Sequence, residues 1–176
     1  MLVVLLGGAR AGKSRQAERL ARRTESPVTF IATCPHLPDD HDLEARIANH
    51  RANRPADWTT IEETRDLTGA IRDAADDVVI VDCLTTWVGS LAHEGVPDTE
   101  ILWASEAAIA QVRARSAHTI VVSNEVGAGI IPADAATRSY RDVLGHVNQQ
   151  WVSAADRAVL MVAGRSLELR PMIDPW

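Results

Sequence analysis

The residues Gly7-Gly8-Ala9-Arg10-Ala11-Gly12-Lys13-Ser14 match the phosphate-loop pattern G-x-x-x-x-G-K-[ST]. Glycines at such spacing let successive backbone N–H groups curl around anionic oxygens. A helix that begins at the end of the loop adds the positive potential of its N-terminus. In a loop of this kind Lys13 reaches the β- and γ-phosphates, and the Ser14 hydroxyl is a ligand for Mg²⁺. Gly7, Gly8, Ala9, Arg10, Ala11, Gly12, Lys13 and Ser14 are therefore expected to hold the phosphates of ATP or GTP, with Lys13 in a catalytic role. The competing reading, a chance glycine-rich turn, fits poorly with an apolar strand before the loop and a helical pattern after it. An acid belongs to the same chemistry. Val78-Val79-Ile80-Val81-Asp82 is an apolar run ending in a carboxylate, the pattern that places an acid beside the metal. Asp82 is read as a metal or ligand contact, and the alternative for it is a helix cap or surface turn.

These groups need a scaffold that brings strand ends together, and the pattern along the chain supplies one. Strand-length apolar runs stand at Leu2–Leu6, Val28–Ala32, Trp58–Ile61, Val78–Asp82, Thr119–Ser123 and Ala158–Ala163, with a short last strand at Leu167–Arg170. Helical patterns cover Lys13–Arg23, Leu43–Asn53, Leu67–Ala75, Thr99–Ala114 and Ala135–Ala155, and Asp66 and Asp98 stand where N-caps belong. Near-continuous Val/Ile/Leu strands imply cover on both faces, as in a mostly parallel sheet. The alternation predicts a single-domain α/β fold of the P-loop NTPase kind, with helices flanking the sheet. Pro35 to Asp42 and Gly127 to Asp134 read as loops.

The bulk properties limit the partners. With 176 residues the chain is of one-domain size, and its formal net charge of −6 argues against broad nucleic-acid or membrane-surface binding. The apolar opening Met1–Leu6 lacks a basic flank and is much too short to span a membrane, so it is read as a buried strand. Cys34 and Cys83 form no CxxC pair and are read as reduced thiols of a cytoplasmic protein. The scattered histidines, His36 and His41 among them, show no metal-ligand spacing and are read as solvated. The five tryptophans are expected chiefly to fill the core.

A set of further segments narrows the class. The phosphate loop is followed by Ile31-Ala32-Thr33, then Arg46-Ile47-Ala48-Asn49-His50-Arg51 with Arg54-Pro55 and Trp58. After these come Asp82-Cys83-Leu84-Thr85-Thr86-Trp87, Ser123-Asn124-Glu125-Val126-Gly127, Pro132, and Arg141-Asp142-Val143-Leu144-Gly145 with Asn148-Gln149. In this order they resemble the bifunctional adenosylcobinamide kinase/adenosylcobinamide-phosphate guanylyltransferase family of cobalamin biosynthesis, from residue 2 to about residue 164. The resemblance implies a RecA-like arrangement, Mg²⁺, and a homo-oligomer, a trimer. It implies phosphorylation of the aminopropanol hydroxyl of adenosylcobinamide with ATP or GTP. Transfer of GMP from GTP onto adenosylcobinamide phosphate follows, through a covalent histidine. The family histidine lies in R-I-x-x-H-[RK], which here is His50. Ala32, Thr33 and Cys34 resemble the nucleotide-contacting turn, and Glu62 an acidic contact to guanine or ribose. Two departures are visible: Asp40-His41-Asp42-Leu43 stands where the family has D-x-E-M, and Gly89-Ser90 where it often has Asn.

His50 also suits the chemistry by its type. An imidazole is nucleophilic and partly neutral near pH 7, and attack on an α-phosphate forms a phosphoramidate. Arg51 and Arg54 lie close in sequence and would neutralise phosphate charge. On a continuous helix, His50 shares a face with Arg46 and with Arg54. The helix bearing His50 is expected to sit away from its own phosphate loop in the free state, since nucleotide binding can move such an element. Asn124 and Glu125 end a buried strand, where positioning of water, metal or substrate and plain structural capping are equal readings. Two rival functions remain at this level: a small-molecule kinase without nucleotidyl transfer, and a nucleotide-dependent switch whose partner reads the bound state.

Overall fold

The computed structural model describes residues 1–36, 39–52 and 54–171; the side chains of Leu43, Arg46 and His50 lie outside the description. Seven strands, β1 (Leu2–Gly7), β2 (Val28–Ala32), β3 (Thr59–Glu62), β4 (Val78–Asp82), β5 (Thr119–Val122), β6 (Arg157–Val162) and β7 (Arg165–Leu169), form one sheet in the order β3-β2-β4-β5-β1-β6-β7. All neighbours pair in parallel except β6 and β7, which form an antiparallel hairpin. Its turn carries Ala163 at φ 49° and Gly164 at φ 76°, two successive positive φ values that fit the right-handed twist of the flanking strands.

The helices are α1 (Lys13–Arg22), α2 (His41–Ala52), α3 (Leu67–Asp73), α4 (Leu84–His93), α5 (Asp98–Arg113) and α6 (Ala135–Ala154). Strand residues alternate between the two faces, as a period of two requires. Leu2, Val4, Leu6, Val79, Val81 and Val121 join a core with α3, α4, α5 and α6. Val3, Leu5, Val78, Ile80, Ile120 and Val122 join a second core with Ala17 and Ala21 of α1. Trp87 and Trp151 are fully buried in the first core, and each indole N–H is satisfied: Trp87 donates to the Arg65 carbonyl at 2.9 Å, Trp151 to Ser105 Oγ at 3.1 Å. Trp103 departs from the expectation of core tryptophans, since it lies exposed on α5.

Helix α4 is absent from the sequence reading. Its residues include two threonines, Gly89 and Ser90, all weak helix formers, and it buries Leu84, Thr85, Trp87, Val88, Ser90 and Leu91 on several sides. A helix buried on several sides has no clean 3.6-residue stripe to read. Asp66 caps α3 as expected, accepting from the Gly69 N–H at 2.8 Å. Asp98 does not cap α5: Pro97 holds that place and Asp98 is the first helical residue, accepting from Ser139 Oγ at 3.0 Å. The helix read as Leu43–Asn53 runs His41–Ala52. Asn53 lies outside the described residues, as do Leu37 and Pro38 of the loop before it. Arg54 therefore does not continue a helical face with His50. The reason is Pro55, whose ring disfavours the α conformation of the residue before it.

Gly7 holds β1 against β6. Its φ is 148°, and a Cβ there would stand 2.3 Å from the Met161 carbonyl oxygen. Gly7→Ala is expected to lower stability by about 2–4 kcal/mol through backbone strain and steric overlap. A thermal melt checks this, and a melting temperature equal to that of the unmutated chain would remove Gly7 from the packing account.

Candidate functional site

The sheet register builds one edge of the site. Glu62 pairs with Ala32 and Ala32 with Asp82 across β3, β2 and β4. Asp82 pairs with Val122 and Val122 with Leu5 across β4, β5 and β1. The C-terminal ends of five parallel strands thus stand in a row, and the loop Gly7–Ser14 leaves the end of β1. A cleft of about 530 Å³ opens along this row. Ala9 to Ser14, Ala32, Cys34, Asp82 and Glu62 border it, together with Ile47, Asn49, Arg51 and Arg54. Helix α2 therefore borders the loop's own cleft, and does not sit away from the loop as the sequence reading expected.

Within the loop, Gly12 sits at φ 97° as the N-cap of α1, and Arg10 adopts a left-handed φ of 58°. Lys13 is buried, and its Nζ donates to the carbonyls of Gly7 at 2.9 Å and Gly8 at 2.7 Å. Burial lowers its pKa, while the neighbouring Cys83 and Asp82 act in the opposite direction. The ammonium is thus held inside the loop's curl, in the place a phosphate loop needs its charge. Ser14 is the second residue of α1, and it borders the cleft together with Asp82, the last residue of β4. A hydroxyl and a carboxylate are the hard oxygen donors that Mg²⁺ prefers.

Thr33 has a positioning place. Fully buried, its Oγ1 donates to the Cys83 carbonyl at 2.6 Å and accepts from the Cys83 N–H at 2.7 Å, with Thr86 Oγ1 at 2.7 Å. Its hydroxyl ties the end of β2 to the start of α4 and points away from any ligand in the cleft. Ala32 and Cys34, on either side, border the cleft. Thiols stand at both Cys34 and Cys83, and burial pushes the Cys83 pKa up.

The arginines differ from each other. Arg51 is exposed and paired with Glu62. Arg54 stacks on the Phe30 ring with Cζ 3.8 Å from the centroid, and donates to Thr60 Oγ1 at 3.4 Å. Its Nε is buried without a partner among the described residues. Burial lowers its pKa, with Asp82 the largest opposing influence. Arg54 also borders the cleft, so its guanidinium charge is available to an anion bound there.

His36 is exposed, as the sequence reading had it, and it also borders the cleft. Its Nδ1 lies 3.0 Å from Glu44 Oε2 of α2, and its Nε2 lies 3.7 Å from Glu62 of β3. Nothing in the sequence flags this, because the three residues meet only when α2 folds back over the sheet edge. Phe30 and Thr86 also border the cleft and were not among the expected site residues; Asn124, read equally as a positioning or a capping residue, borders it too. His50 is helical between Asn49 and Arg51, and its side chain lies outside the described residues.

The model of the family described as cobinamide kinase / cobinamide phosphate guanyltransferase matches residues 3–169. The chain is 37% identical to the bifunctional adenosylcobalamin biosynthesis protein CobP of Pseudomonas aeruginosa, over 95% of this chain and 96% of that one. It is also 37% identical to the bifunctional adenosylcobalamin biosynthesis protein CobU of Salmonella typhimurium, over 97% of this chain and 100% of that one. Among solved structures, a prototypical ATPase from the type III secretion system of pathogenic bacteria resembles it with a TM-score of 0.56 at 11% identity, over 90% of this chain and 50% of that one. That likeness is one of fold.

The pairing of His36 has a pH consequence. Its pKa is raised, first by the hydrogen bond to Glu44 and the charge of Glu44, with Glu62 adding and partial desolvation and Arg51 opposing. A raised pKa means that docking of α2 gains from the charged ring at low pH and loses that gain as pH climbs through the raised value. Amide exchange in α2, corrected for its intrinsic pH dependence, should be slower at pH 6 than at pH 8. His36→Asn should flatten the difference, and an unaltered pH dependence in that variant would show that the ring does not hold the helix.

Proposed function

Since the chain belongs to the cobinamide kinase / cobinamide phosphate guanyltransferase family, we propose that it phosphorylates adenosylcobinamide with ATP or GTP and then transfers GMP from GTP to the product, giving adenosylcobinamide-GDP. The observation that carries the reading is the meeting of two sets of groups in one cleft: Lys13, Ser14 and Asp82 from the strand ends, and Asn49 and Arg51 flanking His50 on α2. A simple kinase needs the first set alone.

In the kinase step the substrate hydroxyl oxygen bonds to the γ-phosphorus. The β–γ bridging P–O bond breaks, the nucleoside diphosphate leaves with the electron pair, and the hydroxyl proton is released. Lys13 moves from its loop carbonyls to the β- and γ-phosphate oxygens and offsets their charge. Ser14 and Asp82 would hold Mg²⁺, which when bound neutralises phosphate charge. Ala9, Arg10 and Gly12 present backbone N–H groups to the phosphates, while the Ala11 N–H donates to the Gly8 carbonyl at 3.3 Å and holds the curl of the loop.

In the transfer step an imidazole nitrogen of His50 bonds to the α-phosphorus of GTP. The α–β bridging bond breaks and pyrophosphate departs. A phosphate oxygen of cobinamide phosphate then attacks the same phosphorus, the P–N bond breaks, and His50 is regenerated. Arg54, partly desolvated on Phe30, supplies charge to the phosphate under attack. Glu62, held by Arg51, is placed to accept from the guanine or ribose. The reading extends to a homotrimer working in the cytoplasm.

Incubated with GTP and Mg²⁺, the chain should gain the mass of one GMP as an acid-labile, base-stable adduct. His50→Ala should abolish the adduct and largely spare the kinase step. Kinase activity without any adduct in the unmutated chain would favour the small-molecule kinase. Lys13→Ala should lower both activities by roughly a hundredfold or more, because both use one loop. Asp82→Asn should raise the Mg²⁺ concentration needed for half-maximal activity by roughly tenfold, and an unchanged titration would make Asp82 structural.

A further inference from the structure

The loop between β5 and α6 carries an apolar tip that the phosphate chemistry leaves unused. Ile130 is 96% exposed, Ile131 68% and Val126 37%. Trp103, Val162 and Leu167 are exposed too, but they belong to α5 and to the β6–β7 hairpin. Here three large apolar side chains come from one short stretch, Val126-Gly127-Ala128-Gly129-Ile130-Ile131. Apolar residues gathered in one patch mark a binding surface, whereas single exposed ones need no explanation.

Both feet of the loop are held. At the first, the Glu125 N–H donates to the Gly7 carbonyl of the phosphate loop at 3.2 Å, and the Glu125 carboxylate accepts from the Gly127 N–H at 2.6 Å. At the second, Arg138 of α6 donates through Nη1 to the Pro132 carbonyl at 2.9 Å and the Ala133 carbonyl at 2.6 Å. Asp134 caps α6 by accepting from the Thr137 N–H at 2.7 Å. The tip is thus presented from fixed ends, and its isoleucines meet water although isoleucine is among the residues most often buried.

The place of the loop in the fold says what covers it. It leaves the carboxyl end of β5, on the edge where a parallel sheet binds ligands. Strand β5 lies between β4 and β1, whereas Glu62 ends β3 at the far side of the sheet. Glu62 and α2 border the cleft on that far side, and the functional reading above puts the guanine or ribose there. The acceptor therefore enters from the side of β5. A cleft of about 530 Å³ is filled by one nucleotide, so a macrocyclic acceptor cannot follow it in whole. Only the arm with the hydroxyl reaches the phosphates, and the ring stays on the rim. Ile130 stands six positions after Asn124, which borders the cleft, and so lies at most about 22 Å from it. A corrin ring carries methyl groups around its periphery, and these offer the isoleucines the apolar cover they lack.

We propose that Val126, Ile130 and Ile131 form the docking surface for the corrin ring of adenosylcobinamide, an assignment that rests on the functional reading above. The ring packs on the loop tip while its aminopropanol arm runs past the end of β5 to the phosphates. The same contact serves both steps, since the ring is common to cobinamide and cobinamide phosphate.

The test uses the full chain and compares the double variant Ile130→Ser/Ile131→Ser with Trp103→Ser, which removes an exposed apolar residue from another element. The double variant should raise the KM for adenosylcobinamide about tenfold to a hundredfold, the loss expected when two isoleucines give up apolar cover. Its KM for GTP and its kcat at saturating corrinoid should stay within about twofold, because the lost contact binds ground state and transition state alike. The GMP adduct formed with GTP alone should be unaltered. Ile130→Leu/Ile131→Leu should keep the KM for adenosylcobinamide near that of the unmutated chain, and Trp103→Ser should not move it. An unchanged KM in the double serine variant, or an equal rise in Trp103→Ser, overturns the proposal. A rise that accompanies dissociation of the chain's own assembly in sedimentation overturns it too, since a second copy then covers the loop. Should the unmutated chain bind cobinamide yet fail to phosphorylate it, the functional reading falls, and equilibrium dialysis of the variants against cobinamide still decides the role of the loop. No binding of cobinamide by the unmutated chain overturns both.

Discussion

Parallel pairing of β2, β4, β5 and β1 is the constraint from which the site follows. Parallel strands enter and leave at the same ends, so every connection after a C-terminus starts on one edge of the sheet. The register sets Glu62, Ala32, Asp82 and Val122 side by side along that edge. No side-chain contact has to assemble the row, because backbone hydrogen bonds already do. What remains is to turn each chain end in the right direction, and Thr33, Thr85 and Asn148 do this from buried positions.

The same economy explains why the loop can carry a buried charge. Lys13 gives up hydration but bonds two carbonyls of its own turn, so it is satisfied before any ligand arrives. Asp82 keeps a negative charge near it and opposes the loss of its proton. Gly7 is the point where this loop and the sheet meet. Its lack of a side chain lets β1 lie against the Met161 carbonyl, and its own carbonyl accepts from both Lys13 and Glu125.

The edge at β3 is built differently. Strand β3 is largely exposed, and α2 meets it through polar pairs, Arg51 with Glu62 and His36 with Glu44 and Glu62. Polar pairs at the surface are worth little in net stability. They hold α2 less firmly than the packed sheet holds the loop and Asp82. The two halves of the chemistry thus sit on parts of different stiffness.

The sequence by itself determined the phosphate loop, six of the seven strands to within a residue, and five of six helices. It did so because apolar periodicity and glycine spacing are local properties of the chain. Even the last strand was legible, displaced by about two residues at its start, where the turn at Ala163-Gly164 gives a weak local signal. The family resemblance added His50, Ala32, Thr33, Cys34 and Glu62 as expectations. Only the tertiary structure decided where the described side chains among the candidate residues lie. It turned the Thr33 hydroxyl into the protein, put Arg54 on Phe30, brought His36 between two acids, and made α4 from a stretch with no readable stripe. The physical reason is the same in each case. These outcomes depend on partners dozens of residues away, whose positions exist only after the strands have paired.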